Sequence, residues 1–110
     1  MPQITKNLLE QYIVEIRKIY GSHLRKVILY GSYARGDFHN NSDVDIMILV
    51  RMSEDEIRSV RYQIYDMAFD ILMDTGVDIS PIIKNEDQYM YWIEDLPFYR
   101  NIAKEGVIIN

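Results

Sequence analysis

Two aspartates at the start of an apolar stretch are the residues of this sequence best suited to chemistry. Asp43 and Asp45 are separated by one valine and followed by the apolar run Ile46–Val50. Alternate side chains of a strand share a face, so the two carboxylates would point the same way, with Cα atoms about 7 Å apart. Two unit charges about 4 Å apart repel by about 4 kcal/mol at an effective dielectric constant of about 20. The pair therefore predicts a bound divalent cation such as Mg²⁺.

A third carboxylate could join this pair. Asp78 lies between Val77 and Ile79 in the next stretch expected to form a strand. Neighbouring strands are about 4.8 Å apart, so pairing with the strand that carries Asp43 would bring three carboxylates to one end of the sheet. Three such groups can hold two metal ions and align a nucleophile with a phosphorus atom. Alternatively, Gly76 and Asp78 could be ordinary turn residues.

A glycine–serine pair upstream has the features of a phosphate site. Gly31 would let a phosphate approach the backbone closely, and Ser32 offers a hydroxyl and an N–H at the start of a helical turn, where anions are favoured. Arg35 could add a charged hydrogen bond or form a salt bridge instead. Ser42 is also counted among the nucleotide-binding candidates, although it could cap the polar loop over 37–42 or orient Asp43 instead. A phosphate site facing an acidic metal site is typical of an enzyme that transfers part of a nucleoside triphosphate.

The rest of the chain predicts the elements that would position these groups. Hydrophobic spacing predicts helices over about 3–19, 53–73 and, in two pieces divided near Pro97, 86–105. Strands are expected over Lys26–Tyr30, Asp43–Val50 and Val77–Ser80, and a last short strand could follow at Val107–Ile109. Pro81 would end the third strand, because proline cannot donate to a central ladder. The order α-β-β-α-β-α indicates the α/β (α+β) class, with a small sheet and helices packed against it.

Composition limits the kinds of protein that this chain can be. Its 110 residues suit a single domain over 1–110, and 48% hydrophobic with 26% charged residues is a soluble globular balance. The absence of cysteine excludes disulfides and thiolate zinc sites. No apolar run could span a membrane and the first residues do not resemble a signal peptide, so we expect a cytoplasmic protein. The net charge of −5 argues against a general nucleic-acid binder.

The motif resembles that of a known superfamily, the DNA polymerase β-like nucleotidyltransferases. The resemblance lies in two runs separated as in that family, with ten residues between the serine and the first aspartate: Gly31-Ser32-Tyr33-Ala34-Arg35-Gly36 and Ser42-Asp43-Val44-Asp45-Ile46. Most of the chain, including its ending over 97–106, is similar to the minimal nucleotidyltransferase (MNT) antitoxins of HEPN/MNT toxin–antitoxin pairs.

This resemblance implies a minimal nucleotidyltransferase palm with a mixed sheet. Asp43 and Asp45 would be metal ligands, Asp78 would be the third carboxylate, as ligand or base, and Gly31 and Ser32 would hold the triphosphate. The implied reaction is in-line attack on the α-phosphorus of ATP at a two-Mg²⁺ site, with pyrophosphate leaving. The implied acceptor is a tyrosine of a cognate HEPN toxin, silenced by AMP transfer within a hetero-oligomer.

Two other functions remain open at this point. The protein could neutralise its partner by occlusion without catalysis, because nine tyrosines and the cluster Tyr89-Met90-Tyr91-Trp92 suit either a core or a partner surface. It could also be a nucleotidyltransferase for a small hydroxylated molecule. The lack of a second domain to bind such an acceptor speaks against this last function.

Overall fold

A four-stranded mixed sheet lies between two layers of helices in the computed structural model, which describes all 110 residues. The helices are α1 (Gln3–Tyr20), α2 (Ser32–Arg35), α3 (Glu54–Thr75), α4 (Glu86–Trp92) and α5 (Pro97–Glu105). The strands are β1 (Leu24–Tyr30), β2 (Val44–Val50), β3 (Ile79–Asn85) and β4 (Val107–Ile108), and a 3₁₀ turn over Gly21–His23 joins α1 to β1. Each element expected from the sequence is therefore present.

The strand order β3-β2-β1-β4 brings three chain segments together at one end of the sheet. β1 is antiparallel to β2 and β4, whereas β2 and β3 run parallel. The end of β1 consequently lies beside the start of β2, with Tyr30 opposite Asp45. The start of β3 lies on the other side of β2, where the Val44 amide donates to the Asp78 carbonyl at 2.7 Å.

The expected end of the third strand at Pro81 was wrong. β3 begins at Ile79, continues through Pro81 and reaches Asn85, so the strand starts later and ends later than the sequence suggested. The reason is the position of β3 at the edge of the sheet, where it pairs only with β2. An edge strand needs ladder bonds on one side only, so a residue without an N–H is tolerated there.

Hydrophobic side chains fill both sides of the sheet and hold β2 at its centre. Ile46, Ile48 and Val50 contribute to a core shared with α1 and α3, and Met47 and Leu49 contribute to a second core under α4 and α5. All five are fully buried. Because β2 is covered on both faces, the end of the strand that carries the aspartates is firmly placed.

The tyrosines are divided between core and surface. Five are buried, and one of them, Tyr12 on α1, donates its hydroxyl hydrogen to the Ile64 carbonyl of α3 at 2.7 Å. Tyr62, Tyr65 and Tyr91 are exposed. Core packing thus accounts for most of the tyrosine excess, and three rings remain on the surface.

Helix α3 begins with the capping box that its sequence predicts. The Ser53 hydroxyl accepts from the Glu56 amide, and the Glu56 carboxylate accepts from the Ser53 amide at 3.1 Å. These hydrogen bonds to Ser53 lower the pKa of Glu56. None of the five helices combines the length and the apolar character needed to cross a bilayer.

Truncating a side chain at the centre of β2 should destabilise the whole fold. Ile48 is fully buried, so Ile48→Ala is expected to lower the free energy of unfolding by about 2–5 kcal/mol. Ile4 is 63% exposed, and Ile4→Ala should cost less than about 0.5 kcal/mol. Urea denaturation of both variants measures the difference, and equal losses would contradict the assignment of β2 to the core.

Candidate active site

Asp43, Asp45 and Asp78 lie at the end of the sheet where β2 and β3 begin. Val44 and its partner Ile79 both face the α1–α3 core. Side chains alternate along a strand, so Asp45 faces the opposite side, toward the layer that contains α5. Asp43 and Asp78 precede their strands and line a cleft beside α3. Asp43 is exposed, and the other two are half-buried. The predicted pairing of the strands is present, and it brings the three carboxylates together.

Burial and mutual repulsion raise the pKa of two of these carboxyls. For Asp45 the largest cause is burial, followed by the charge of Asp43; the charge of Asp78 adds to the rise, whereas Arg35 opposes it. For Asp78 burial again comes first, followed by a hydrogen bond with Asp43 and the charge of that group. The cluster therefore favours bound protons or other positive charge.

The donor chemistry of this cluster fits a divalent cation. Carboxylate oxygens are the ligands that Mg²⁺ prefers, and a cation among them would remove the repulsion that raises the two pKa values. As the side chains are placed, no three acidic or histidine side chains have the arrangement that would hold a metal ion. The three carboxyls nevertheless act on one another, since the charge of Asp43 raises the pKa of both Asp45 and Asp78.

Gly31 brings the backbone into contact with the acidic cluster. It joins β1 to α2 with a φ of 72°, and a Cβ at this position would overlap the Asp45 carboxylate. Only glycine satisfies both the positive φ and the close approach. Ser32 begins the single helical turn of α2 immediately after it. The predicted glycine–serine turn thus lies directly beside Asp45.

Arg35 forms the salt bridges that were one of its two expected roles. Its guanidinium contacts Asp37 and Glu105, each at 3.2 Å. The second contact connects α2 to α5, across 70 positions of sequence. Arg35 also lowers the pKa of Asp45, so its charge acts on the acidic cluster.

Ser42 caps the loop before β2, which was one of the two structural roles considered for it. Its hydroxyl accepts from the His39 amide at 2.9 Å, and its own amide donates to the His39 carbonyl. The contacts hold the polar loop in a tight turn directly before Asp43. Ser42 therefore shapes the approach to the first aspartate.

Three clefts meet the acidic cluster, and the two larger ones approach it from different sides. The first, called here the turn cleft, has a volume of about 350 Å³ and contains Gly31, Ser32, Arg35, Asp45, Phe98 and Asn101 among its lining residues. The second, called here the loop cleft, has a volume of about 360 Å³ and contains Tyr33, Phe38, Ser42, Asp43 and Asp78 among its lining residues. A molecule with several phosphate groups could occupy the first cleft and still reach the aspartates.

Sequence reasoning missed the residues that α5 and the end of β1 supply. Phe98 and Asn101 line the turn cleft, although the sequence separates them from Gly31 by more than sixty positions. Tyr30 lies opposite Asp45, and burial, Asp45 and Tyr99 raise its pKa to about 12. Antiparallel pairing of β1 with β2 could have identified Tyr30, whereas no local signal identifies the α5 residues.

Comparison with known proteins assigns the chain to a family. A model of the nucleotidyltransferase domain matches residues 9–109, which include the acidic cluster and the glycine–serine turn. The chain belongs to this nucleotidyltransferase family. A relative from Methanocaldococcus jannaschii, named "Putative protein adenylyltransferase", is 30% identical over 101 residues, which cover 92% of this chain and 93% of the relative. The protein is therefore an enzyme of the nucleotidyl-transfer class.

Solved structures confirm the fold of this nucleotidyltransferase. A "putative nucleotidyltransferase" from Sulfolobus solfataricus has a TM-score of 0.61 at 21% identity, over 93% of this chain and 76% of the other. A toxin–antitoxin crystal structure with AMP-PNP has a TM-score of 0.55 at 20% identity, over 90% of this chain and 70% of the other. The small mixed sheet with packed helices is thus the expected palm.

Replacing Gly31 should disrupt the site of the nucleotidyltransferase more than it disrupts the fold. Gly31→Ala is expected to lower the affinity for Mg²⁺-ATP at least about tenfold, because the new methyl group displaces the Asp45 carboxylate. Gly36 also has a positive φ, of 87°, but has nothing within 4 Å of an added Cβ. Gly36→Ala should therefore meet only the strain of a left-handed residue, about 1–2 kcal/mol, and retain affinity within about threefold. Titration with a fluorescent ATP analogue measures the contrast, and equal losses would contradict it.

Removing the charge of Asp45 should stabilise the protein at neutral pH. The pKa of Asp45 in the folded protein lies above the ordinary value of 3.8. At a pH above this raised pKa, the ionised carboxylate lowers the free energy of unfolding. This loss of stability shrinks as the pH falls and is gone below 3.8. Asp45→Asn should gain stability at pH 7, by less than about 1 kcal/mol because solvent screens the group, and the gain should shrink on acidification. Melting curves from pH 7 to about pH 3.5 test this. Asp95→Asn, at an exposed loop position, is the control, and a gain in that variant with the same pH dependence would contradict the assignment.

Proposed function

We propose that this nucleotidyltransferase is an antitoxin that transfers AMP from ATP to a tyrosine of a cognate HEPN toxin in the cytoplasm. The observation that carries the proposal is the contact of Asp45 with the Gly31–Ser32 turn, with Asp43 and Asp78 beside Asp45 at the same end of the sheet. The name of the Methanocaldococcus relative supports a protein acceptor. The structural similarity to a toxin–antitoxin complex with AMP-PNP supports ATP as the donor and a toxin as the partner.

The donor triphosphate would lie on the β1 side of the acidic cluster. Gly31 and Ser32 line the turn cleft, where their backbone amides and the Ser32 hydroxyl could donate to phosphate oxygens. Arg35 would contribute positive charge at the same cleft after exchanging a carboxylate partner for phosphate. Asp43 and Asp45, with Asp78, would hold Mg²⁺. When bound, this ion neutralises the charge that develops on the phosphates.

The acceptor hydroxyl would arrive from the β3 side. An in-line displacement requires the nucleophile to lie opposite the leaving group, and the pyrophosphate would leave on the β1 side, near Gly31. The phenol oxygen would form its bond to the α-phosphorus as the bond from that atom to the β-phosphate oxygen breaks. Asp78 lies on the β3 side, and two roles are open to it there. It could complete the metal site, or its raised pKa would suit it to accept the phenol proton.

A transfer assay tests this proposal directly. The chain is incubated with ATP labelled on the α-phosphate, Mg²⁺ and the purified HEPN protein encoded next to it, and we expect label on that protein. Asp43→Asn and Asp45→Asn should each reduce the transfer rate at least about a hundredfold, because each removes a carboxylate that would hold the Mg²⁺. Asp95→Asn should transfer at the wild-type rate. Absence of label with the wild type, or wild-type transfer by Asp45→Asn, would refute the proposal.

A second function, neutralisation by occlusion, is favoured by the exposed apolar side chains. Tyr62, Phe69 and Met73 are each more than half exposed on α3, as expected of a surface that binds another protein. Neutralisation in cells distinguishes the two functions. Catalytic silencing requires that Asp45→Asn form the complex and fail to neutralise, whereas occlusion requires that the same variant still neutralise at normal dose.

A further inference from the structure

Helix α3 carries a continuous row of exposed apolar side chains. Tyr62, Tyr65, Phe69 and Met73 are spaced three or four residues apart and are 63%, 40%, 58% and 62% exposed. This spacing places them on one side of the helix, away from Ile64 and the other α3 residues packed against the sheet. Single exposed apolar residues are common, but a row four residues long marks an interaction surface. These four residues are called the α3 row below.

Negative charges without partners run beside the α3 row. Asp66, Asp70 and Asp74 repeat every four residues, and like charges at that spacing destabilise a helix. None of them forms a salt bridge, and the last turn of α3 contains no basic residue to offset the negative end of the helix dipole. The arrangement does not stabilise the isolated chain, and it is complementary to a partner with a basic surface.

The α3 row leads to the acidic cluster. Tyr65 and Phe69 line a cleft of about 210 Å³ between α3 and β3, and Asp78 lines the same cleft. β3 is the edge of the sheet, so no further strand covers this side. The acceptor hydroxyl of the proposed reaction would approach from this same side.

We propose that the protein acceptor docks on the α3 row through an apolar patch rimmed by lysine or arginine, and presents its hydroxyl to Asp78 through the cleft between α3 and β3. This inference rests on the proposed transfer to a protein. We expect side chains to make the contact, and not a strand added to the edge of β3. Pro81 has no N–H, so the row of backbone donors along that edge is broken. A second copy of this chain fits less well, because each copy has a charge of −5 and an acidic row beside the contact.

Substitutions in the α3 row test the docking surface against a matched patch elsewhere. Tyr62→Ser combined with Phe69→Ser should raise the KM for the HEPN protein at least about tenfold and leave the KM for ATP within about twofold. Met90→Ser combined with Tyr91→Ser removes equally exposed side chains from α4, on the opposite side of the sheet, and should leave both constants unchanged. Melting curves check that both double variants are folded.

Charge reversal tests the complementarity separately. Asp70→Lys combined with Asp74→Lys should slow association with the HEPN protein about tenfold at low salt, because it repels a basic surface. The effect should shrink as the salt concentration approaches about 1 M, where screening is nearly complete. Faster association of the reversed variant would overturn the inferred basic partner.

Direct binding separates a failure of this inference from a failure of the proposed function. If the wild type transfers no AMP, the proposed function fails, and calorimetric titration with the HEPN protein still tests docking: loss of binding only in the α3 double variant supports it. Equal effects of the α3 and α4 variants, or no binding by the wild type, would overturn it. A dimer of the chain alone that the α3 variant dissociates would also overturn it, because the row would then bind a second copy.

Discussion

The parallel pairing of β2 with β3 places Asp78 beside Asp43, and the rest of the site depends on the repulsion that follows. Burial raises the pKa of Asp78, and the neighbouring carboxyl of Asp43 raises it further. The charges of Asp43 and Asp78 also raise the pKa of Asp45, which lies two positions after Asp43. The fold therefore holds carboxylates close together at a place where the cation of a bound triphosphate would offset their repulsion. A protein selected for stability alone would not gather these charges, and the complete burial of β2 beyond Asp45 supplies the packing that holds them there.

The sheet also separates the two sides of the proposed reaction. β1 ends in the Gly31 turn on one side of β2, where backbone and Arg35 suit phosphates. β3 begins with Asp78 on the other side, at an open edge. In the proposed displacement, the nucleophile would approach from the β3 side, opposite the leaving group on the β1 side. In the proposed reaction the order of strands would set the direction of transfer, and the exposed side of α3 would lie on the acceptor side.

Local patterns in the sequence predicted which of these residues lie together, and long-range packing decided what the patterns missed. Gly31, Ser32, Asp43 and Asp45 are close in sequence, so their spacing and the strand period were sufficient to place them near one another. Pro81 was misread because a single sequence does not show whether a strand lies at an edge. The partners of Arg35 were not foreseeable either, because Glu105 arrives from α5, at the other end of the chain. The exposure of Tyr62 and Tyr91 likewise depends on which helix faces are covered.

The most direct test of the central claim is a crystal structure of the chain with Mn²⁺ and a non-hydrolysable ATP analogue, in which the anomalous signal locates the metal. We expect the ion between Asp43 and Asp45, the β- and γ-phosphates at Gly31 and Ser32, and the α-phosphorus facing Asp78. A triphosphate bound elsewhere, or an ion that contacts none of the three aspartates, would contradict the account.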